Sequence, residues 1–402
     1  IDNSPTSDNF EAMFRNITLL LTFFALTSSL FAQSINFQPL SLEDAIIESG
    51  KTGKPVMFMA YQSTCTHCEK MINEVFPDTM VSNFYNANFI NIRIDMLDQA
   101  MAKKYIQQFY LSSFPTFIII NGKAETLYQY VGEFKAAEFV KQAKLSLDPA
   151  NQIPTNRRAF EANPADSTAC YNYLLTLSRG RLATQSVASA YFNANNKQLE
   201  FTTSNWRILS MSVSNLDSEI FRYMLEHKAD FEKVASTKKV ERKFYLTAAY
   251  NLQTPATTND TTNYFRYRNL AAKVGLPIID SLILVTDLSV FEKNKKWDAY
   301  IQAAKSGAEK YLWNDANSLR RISDMIYDHS SDKSTLVKGA NFAVRSAELK
   351  PEYFNNLSAA KIYFKLGYND LSKKYAQQAI AEGKKKNMNT VEANKILEEL
   401  GG

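Results

Sequence analysis

Cysteine is scarce in this chain: Cys65, Cys68 and Cys170 are the three among 402 residues. A fold stapled by many disulfides is thereby excluded, and so is a four-cysteine zinc site. No block of Lys or Arg stands out, and a formal charge of +5 is small for this length. Charge therefore offers nothing to nucleic acid or to a polybasic membrane contact. The N-terminal apolar run, Ile17 to Phe31, covers about 15 residues, short of the ~20 that a membrane-spanning helix needs. What is present is ordinary for a folded protein, with 45% apolar and 22% charged residues. The length suggests two or three domains.

Residues 1–12 are polar and do not begin with Met. Met13-Phe14-Arg15-Asn16 then leads into the apolar run, which closes on Ser28, Ser29 and Ala32. One Arg, a short apolar stretch and a small-residue end are the parts of a secretory signal peptide. Met13 is read as the start, residues 13–32 as the signal, and cleavage is expected near Ala32-Gln33. An uncleaved N-terminal anchor and a buried core helix are the other readings. The expected location is exported and periplasmic, where thiols meet an oxidising or enzymatically controlled environment.

From Ile35 to about Leu147 strand and helix patterns alternate. Ser41-Leu42-Glu43-Asp44 has the form of a helix N-terminus, and that helix is expected to end near Gly50. Val56 to Tyr61 and Phe89 to Asp95 read as buried central strands. A helix opens at the cysteine pair, with Met71, Ile72 and Val75 at helical spacing and Pro77 as its stop. Residues 97–109 read as helical. Thr116–Ile120, Asn121-Gly122 and Thr126–Val131 read as a hairpin, and a last helix runs from about Phe134 to Leu147. Asp148 to Pro154 breaks the pattern, so 148–156 is taken as a linker and 157–402 as an all-helical domain. Breaks are expected at Asn163-Pro164, in an exposed Thr-rich loop at 254–263, and at Gly275-Leu276-Pro277. Ala360, Tyr363, Gly367, Ala376 and Ala379 resemble a tetratricopeptide unit, two helices packed through small residues. Ala340, Val344, Ala347 and Pro351 resemble part of a preceding unit, and Trp297, Ala304 and Gly307 a weaker echo.

Cys65-Thr66-His67-Cys68 is where chemistry is expected. Residues i and i+3 share a helix face, so two sulfurs there can close a disulfide without moving the backbone. At a helix start the unsatisfied N–H groups and the dipole favour the thiolate, which is the nucleophile. Cys65 is therefore assigned the attack, and Cys68, one turn further in, the resolution. Fifty positions on stands Ser112-Ser113-Phe114-Pro115-Thr116.

Over roughly residues 37–147 the chain resembles the thioredoxin family. That resemblance implies a central mixed sheet flanked by helices, with a thiol–disulfide oxidoreductase activity on protein substrates that needs no cofactor and no metal. Phe114-Pro115-Thr116 matches the motif of the family's cis-proline, which faces the cysteines, and with Tyr61 would form the substrate-binding surface. Three departures stand out. Thr64 replaces the Trp before the first cysteine, and Thr66-His67 replace Gly-Pro. Met59 aligns with the buried Asp that handles the resolving thiol's proton, leaving Glu69 and water as candidate relays. The Cys-x-His-Cys form resembles protein disulfide isomerase and the periplasmic oxidases, where a His beside the thiolate favours the reduced form. Reduction potentials run from about −270 mV for thioredoxin to about −120 mV for the oxidase, and an intermediate value is expected, with Thr66 and His67 as tuning residues.

Expected partners are proteins with disulfides or thiols, a redox partner at the membrane, and a protein bound by the helical half. One rival reading is a non-catalytic scaffold, with the helical repeats doing the binding; another is a thiol-dependent enzyme on a small molecule such as a peroxide, for which no peroxidase-type motif stands around Cys65. Cys170 is expected to be a core residue of a helix. His227 and His329 are expected on surfaces, and Tyr245, Tyr250, Tyr264, Phe265 and Tyr267 are expected to pack. The helical half shows no acid–base or nucleophile cluster.

Overall fold

The computed structural model describes residues 34–401; the expected signal peptide and the polar stretch before it lie outside the described residues. Two compact units divide between Ser212 and Val213. Among the described residues, no helix is long and apolar enough to cross a membrane.

The first unit opens with α1 (Leu42–Thr52), capped by the Ser41 side chain on the Asp44 amide and closed by Gly53 in the left-handed conformation. Next come β1 (Val56–Tyr61), α2 (Thr66–Lys70) with a π-helical turn over Met71–Val75, α3 (Thr79–Asn88) and β2 (Ile90–Asp95). After α4 (Gln99–Gln108) come β3 (Thr116–Ile120), β4 (Thr126–Val131) and α5 (Ala136–Leu147). The sheet order is β2-β1-β3-β4. β1 runs parallel to β2 and antiparallel to β3, and β3 pairs antiparallel with β4.

Strand side chains alternate between faces, which divides the core. Met57, Met59, Phe117, Ile119, Tyr128 and Tyr130 pack with Cys68, Met71, Tyr85 and Phe139. Val56, Phe58, Ala60, Ile118 and Ile120 pack on the opposite side with Leu42, Tyr105 and Phe109. Both faces are apolar because both are covered, which is why these strands read as continuous apolar runs.

The helical stretch opened at the cysteine pair ends at Val75, ahead of Pro77 as expected; Asp78 then accepts from the Met80 and Val81 amides and starts α3, a helix the pattern did not mark. One local expectation is corrected here. The hairpin connection is not a two-residue turn. Asn121 Oδ1 accepts from the Lys123 and Glu125 amides, both at 2.9 Å, and Ala124 takes the positive φ of 61°. Gly122 serves close approach instead, since a Cβ there would lie 2.5 Å from Gly50 Cα.

The stretch expected as a linker folds. Pro149–Asn151 form a 3₁₀ turn capped by Asp148, and α6 (Ile153–Ala162) follows, with α7 (Ser167–Arg179), α8 (Gln185–Ala194) and α9 (Thr203–Ser212). α6 and α7 pack against β4. The compact unit described by packing includes these helices up to Ser212, and a buried Gln129 on β4 joins them to the sheet. Gln129 Nε2 donates to the carbonyls of Phe109 and Gly180, each at 3.2 Å. Cys170 lies fully buried on α7, as expected of a core residue.

The second unit is helical: α10 (Glu219–Glu226), α11 (Lys228–Ala235), α12 (Thr237–Thr258), α13 (Thr261–Ala272), α14 (Pro277–Lys293) and α15 (Trp297–Tyr311) come first. α16 (Ala316–His329), α17 (Lys333–Leu349), α18 (Tyr353–Leu366), α19 (Asn369–Lys385) and α20 (Val391–Glu399) complete it. The expected Thr-rich loop is helical instead. Thr254 and Thr258 return their hydroxyls to carbonyls four residues back, at 3.0 and 3.1 Å, and the break is confined to Asn259 in the left-handed conformation and Asp260. Of the repeat-like small residues, Ala340, Ala360, Ala376 and Ala379 are buried, and beside them a Cβ on Gly339 would sit 2.6 Å from Ile362. Tyr264 is buried, bonded to Asp287 at 2.6 Å. Tyr250 and Phe265 are not packed away, being 64% and 39% exposed. His329, exposed as expected, stacks on Trp297 with ring centroids 3.8 Å apart.

Candidate functional site

β1 delivers the chain to the site. After Tyr61 a short loop of Gln62, Ser63 and Thr64 leads to Cys65, which is the N-cap of α2 in extended conformation. The Cys65 amide donates to the Gln62 carbonyl at 3.0 Å, and its own carbonyl accepts from Glu69 at 3.0 Å. No side chain caps this helix, so the sulfur of Cys65 stands where a capping oxygen would, next to the unsatisfied first-turn amides.

The two thiols sit in different environments. Cys65 is half-buried, whereas Cys68 is 1% exposed, and neither is bridged. Burial pushes the Cys68 thiol up to about 12, the Cys65 sulfur and the charge of Asp95 adding to the effect, while a backbone hydrogen bond at Gln62 opposes it. Cys68 shares its core cluster with Met59, the position where the family resemblance would have a carboxylate. Asp95, at the end of β2 and opposite Tyr61 in the parallel register, is a nearby carboxylate whose charge adds a small part to the rise at Cys68. Asp95 Oδ1 accepts from the amides of Ser63 (3.3 Å) and Leu97 (2.9 Å), tying the end of β2 to the loop before the cysteines. The Glu69 side chain faces solvent.

Across from the cysteines lies the loop before β3. The Phe114–Pro115 peptide is cis, and the Cys65 thiol donates to the Phe114 carbonyl at 3.7 Å. Pro115 and Thr116 are buried, and Phe114 is half-buried between the two sides of the core. Thr116 Oγ1 donates to the Ser113 carbonyl at 2.7 Å, and the Pro115 carbonyl accepts from Gly132 at 2.9 Å. Tyr61 is half-buried, with the Arg93 guanidinium 5.8 Å from its ring centre. Thr66 is exposed.

His67 points away from the core and meets a partner that sequence reasoning missed. Its Nδ1 lies 2.8 Å from Glu133 Oε2, and Lys70 Nζ lies 3.5 Å from the other oxygen of the same carboxylate. The hydrogen bond with His67 and the nearby Lys70 hold the Glu133 carboxyl below its usual range. Asp95 was also missed, although the pairing of two apolar strands, once aligned, puts it beside the active loop. Glu133 follows Gly132 in the β4–α5 connection, and nothing in the local pattern marks it. Among the described residues, no group of three or more His, Cys, Asp or Glu side chains is placed to hold a metal ion.

This arrangement brings together a half-exposed sulfur at a helix start, a buried second sulfur one turn on, and a proline-bearing loop against the first sulfur. Comparison with known proteins finds the same domain. Residues 42–145 match the family model of a thioredoxin-like domain. Among solved structures, the chain is similar to a proposed disulphide-isomerase from Bacteroides thetaiotaomicron, at 26% identity and a TM-score of 0.27 over 29% of this chain and 95% of that one. It is also similar to a DsbH oxidoreductase, at 18% identity and a TM-score of 0.26 over 30% of this chain and 92% of that one. No curated protein matches. Sheet order, the cis peptide at Pro115 and the family match converge, and residues 42–145 are a thioredoxin-like domain carrying a Cys65–Cys68 pair at its first helix after β1.

Proposed function

We propose that this protein is an exported thiol–disulfide oxidoreductase acting on protein disulfides through Cys65 and Cys68. The observation that carries the reading is the asymmetry of the pair: a half-exposed Cys65 at a helix start against Phe114, with Cys68 buried behind it. The Cys65 thiolate attacks a substrate disulfide, forming a Cys65–substrate disulfide and expelling one substrate thiolate. Cys68 then loses its proton and attacks the Cys65 sulfur, expelling the second thiolate and leaving the Cys65–Cys68 disulfide. Two electrons pass to the substrate; the same steps reversed oxidise it, and direction follows from relative potentials. We assign to Asp95, which is tied to the loop before the cysteines through the Ser63 amide and whose charge acts on the Cys68 thiol, the role of taking the Cys68 proton. Tyr61 and Phe114, with the backbone at Pro115 and Thr116, form the surface on which the substrate strand lies, and His67 tunes the pair. Export is supported by the apolar run Ile17 to Phe31, with a redox partner at the membrane implied by that location.

Cys68→Ser in the full chain tests the cycle. It should accumulate substrate proteins in disulfide linkage to Cys65, and Cys65→Ser should abolish turnover. Clean recovery of free Cys68→Ser protein from an oxidising extract would count against the assignment and favour the scaffold reading. For export, the chain begun at Met13 should be recovered outside the cytoplasm with a new N-terminus near Gln33; recovery in the cytoplasm at full length would reject it.

A further inference from the structure

The turn after α7 places a cation at the rim of the redox site. Its base is fixed: Gly180 lies so close to Gln129 that a Cβ would be 2.9 Å from the Gln129 Cβ, and the Gly180 carbonyl accepts from Gln129 Nε2. Arg179 is held there too, bonded to Asn151 at 3.2 Å and lying over the Tyr128 ring. From that base Arg181, at φ 53°, sends Nη1 to Ser113 Oγ at 2.7 Å. A positive φ is uncommon for a side chain of this size, and here it accompanies a guanidinium reaching the residue next to Phe114. That carbonyl of Phe114 is the one facing the Cys65 sulfur.

Arg181 has no carboxylate partner among the described residues. Other arginines do: Arg266 with Asp217, Arg268 with Asp287, Arg321 with Glu292. The acidic group nearest in role, Glu133, is occupied by His67 and Lys70. A guanidinium has five N–H donors in a fixed fork suited to a carboxylate, and Ser113 takes one. We propose that Arg181 selects substrate, pairing with an acidic side chain that flanks the reactive cysteine of a protein disulfide. The extension beyond residue 147 would then supply part of the recognition surface.

This inference rests on the oxidoreductase reading, and the experiment separates the two. The full chain would be assayed on two peptide disulfides identical except for Glu or Gln beside one cysteine, with wild type, Arg181→Gln and Arg181→Lys compared. Exposed ion pairs are weak, so the wild type should prefer the Glu peptide by about threefold to fivefold in kcat/KM, less at high salt. Arg181→Gln should bring the ratio to about one, and Arg181→Lys should keep part of it. An equal ratio in the wild type, or a preference that survives Arg181→Gln, overturns the proposal. So does an equal loss on both peptides, which would make Arg181 a support for Ser113 alone. If the wild type turns over neither peptide and Cys65 fails to exchange with glutathione, the oxidoreductase reading falls, and this one with it.

Discussion

Reduced protein treated with iodoacetamide at pH 8 should take its label on Cys65 and leave Cys68 almost untouched. Cys68 is 1% exposed, and burial, reinforced by the Cys65 sulfur, moves its thiol from 9.0 to about 12. Three pKa units mean roughly a thousandfold less thiolate at any pH below the ordinary value, or about 4 kcal/mol. Cys170 is buried and pushed up to about 12 as well, so it serves as an internal standard for an inert thiol. Peptide mapping over a time course between pH 7 and 10 would follow all three. Cys68 labelling should rise about tenfold per pH unit without a plateau in that range, and denatured protein should label at all three sites. In Cys65→Ser the contribution of the neighbouring sulfur disappears but burial remains, so Cys68 should still lag an ordinary thiol. A Cys68 rate within tenfold of Cys65 at pH 8, or a plateau near pH 9, would refute the reasoning. The chemical corollary is that the resolving step waits on a base.

That base can be tested directly. Asp95→Asn should lengthen the lifetime of the Cys65–substrate disulfide in single-turnover experiments, and an unchanged lifetime would remove Asp95 from the step. Glu133→Gln takes a negative charge from beside the pair and should raise the reduction potential, while His67→Pro should lower it; unchanged potentials in glutathione equilibria would make both residues spectators. Tyr85→Phe removes a hydroxyl bonded to Tyr130 at 2.9 Å and to the Phe139 carbonyl at 3.0 Å. With the Tyr130 hydroxyl buried, the cost should be about 1–3 kcal/mol, read from denaturant midpoints, and a neutral change would show that another partner takes over.

What could be read from the sequence was local. The central strands announce themselves because both sheet faces are covered, so Val56 to Tyr61 and Phe117 to Ile120 are apolar without interruption. The cysteine pair is legible because i and i+3 spacing fixes its geometry. Helix α3 escaped because Pro77 reads as a stop, although Asp78 beside it is a start. Asp95, Glu133 and Arg181 could not be found this way. Their contacts join residues 32, 66 and 68 positions apart in the chain, and only strand register and the packing of α7 on β4 bring them to the site. The Thr-rich stretch misled for a different reason: hydroxyls that favour loops can also bond back within a helix.

The contact between Gln129 and Gly180 bears on how such a protein could be assembled from parts. A family-sized piece cut after Leu147 would keep both cysteines and the proline loop. It would also leave a buried amide without one of its two acceptors, strip the Arg179 guanidinium from the Tyr128 ring, and bare the side of β4 that α6 and α7 occupy. A piece that keeps these contacts runs to Ser212, the end of the compact unit. Recombination at the family border would carry the chemistry across and leave its footing behind.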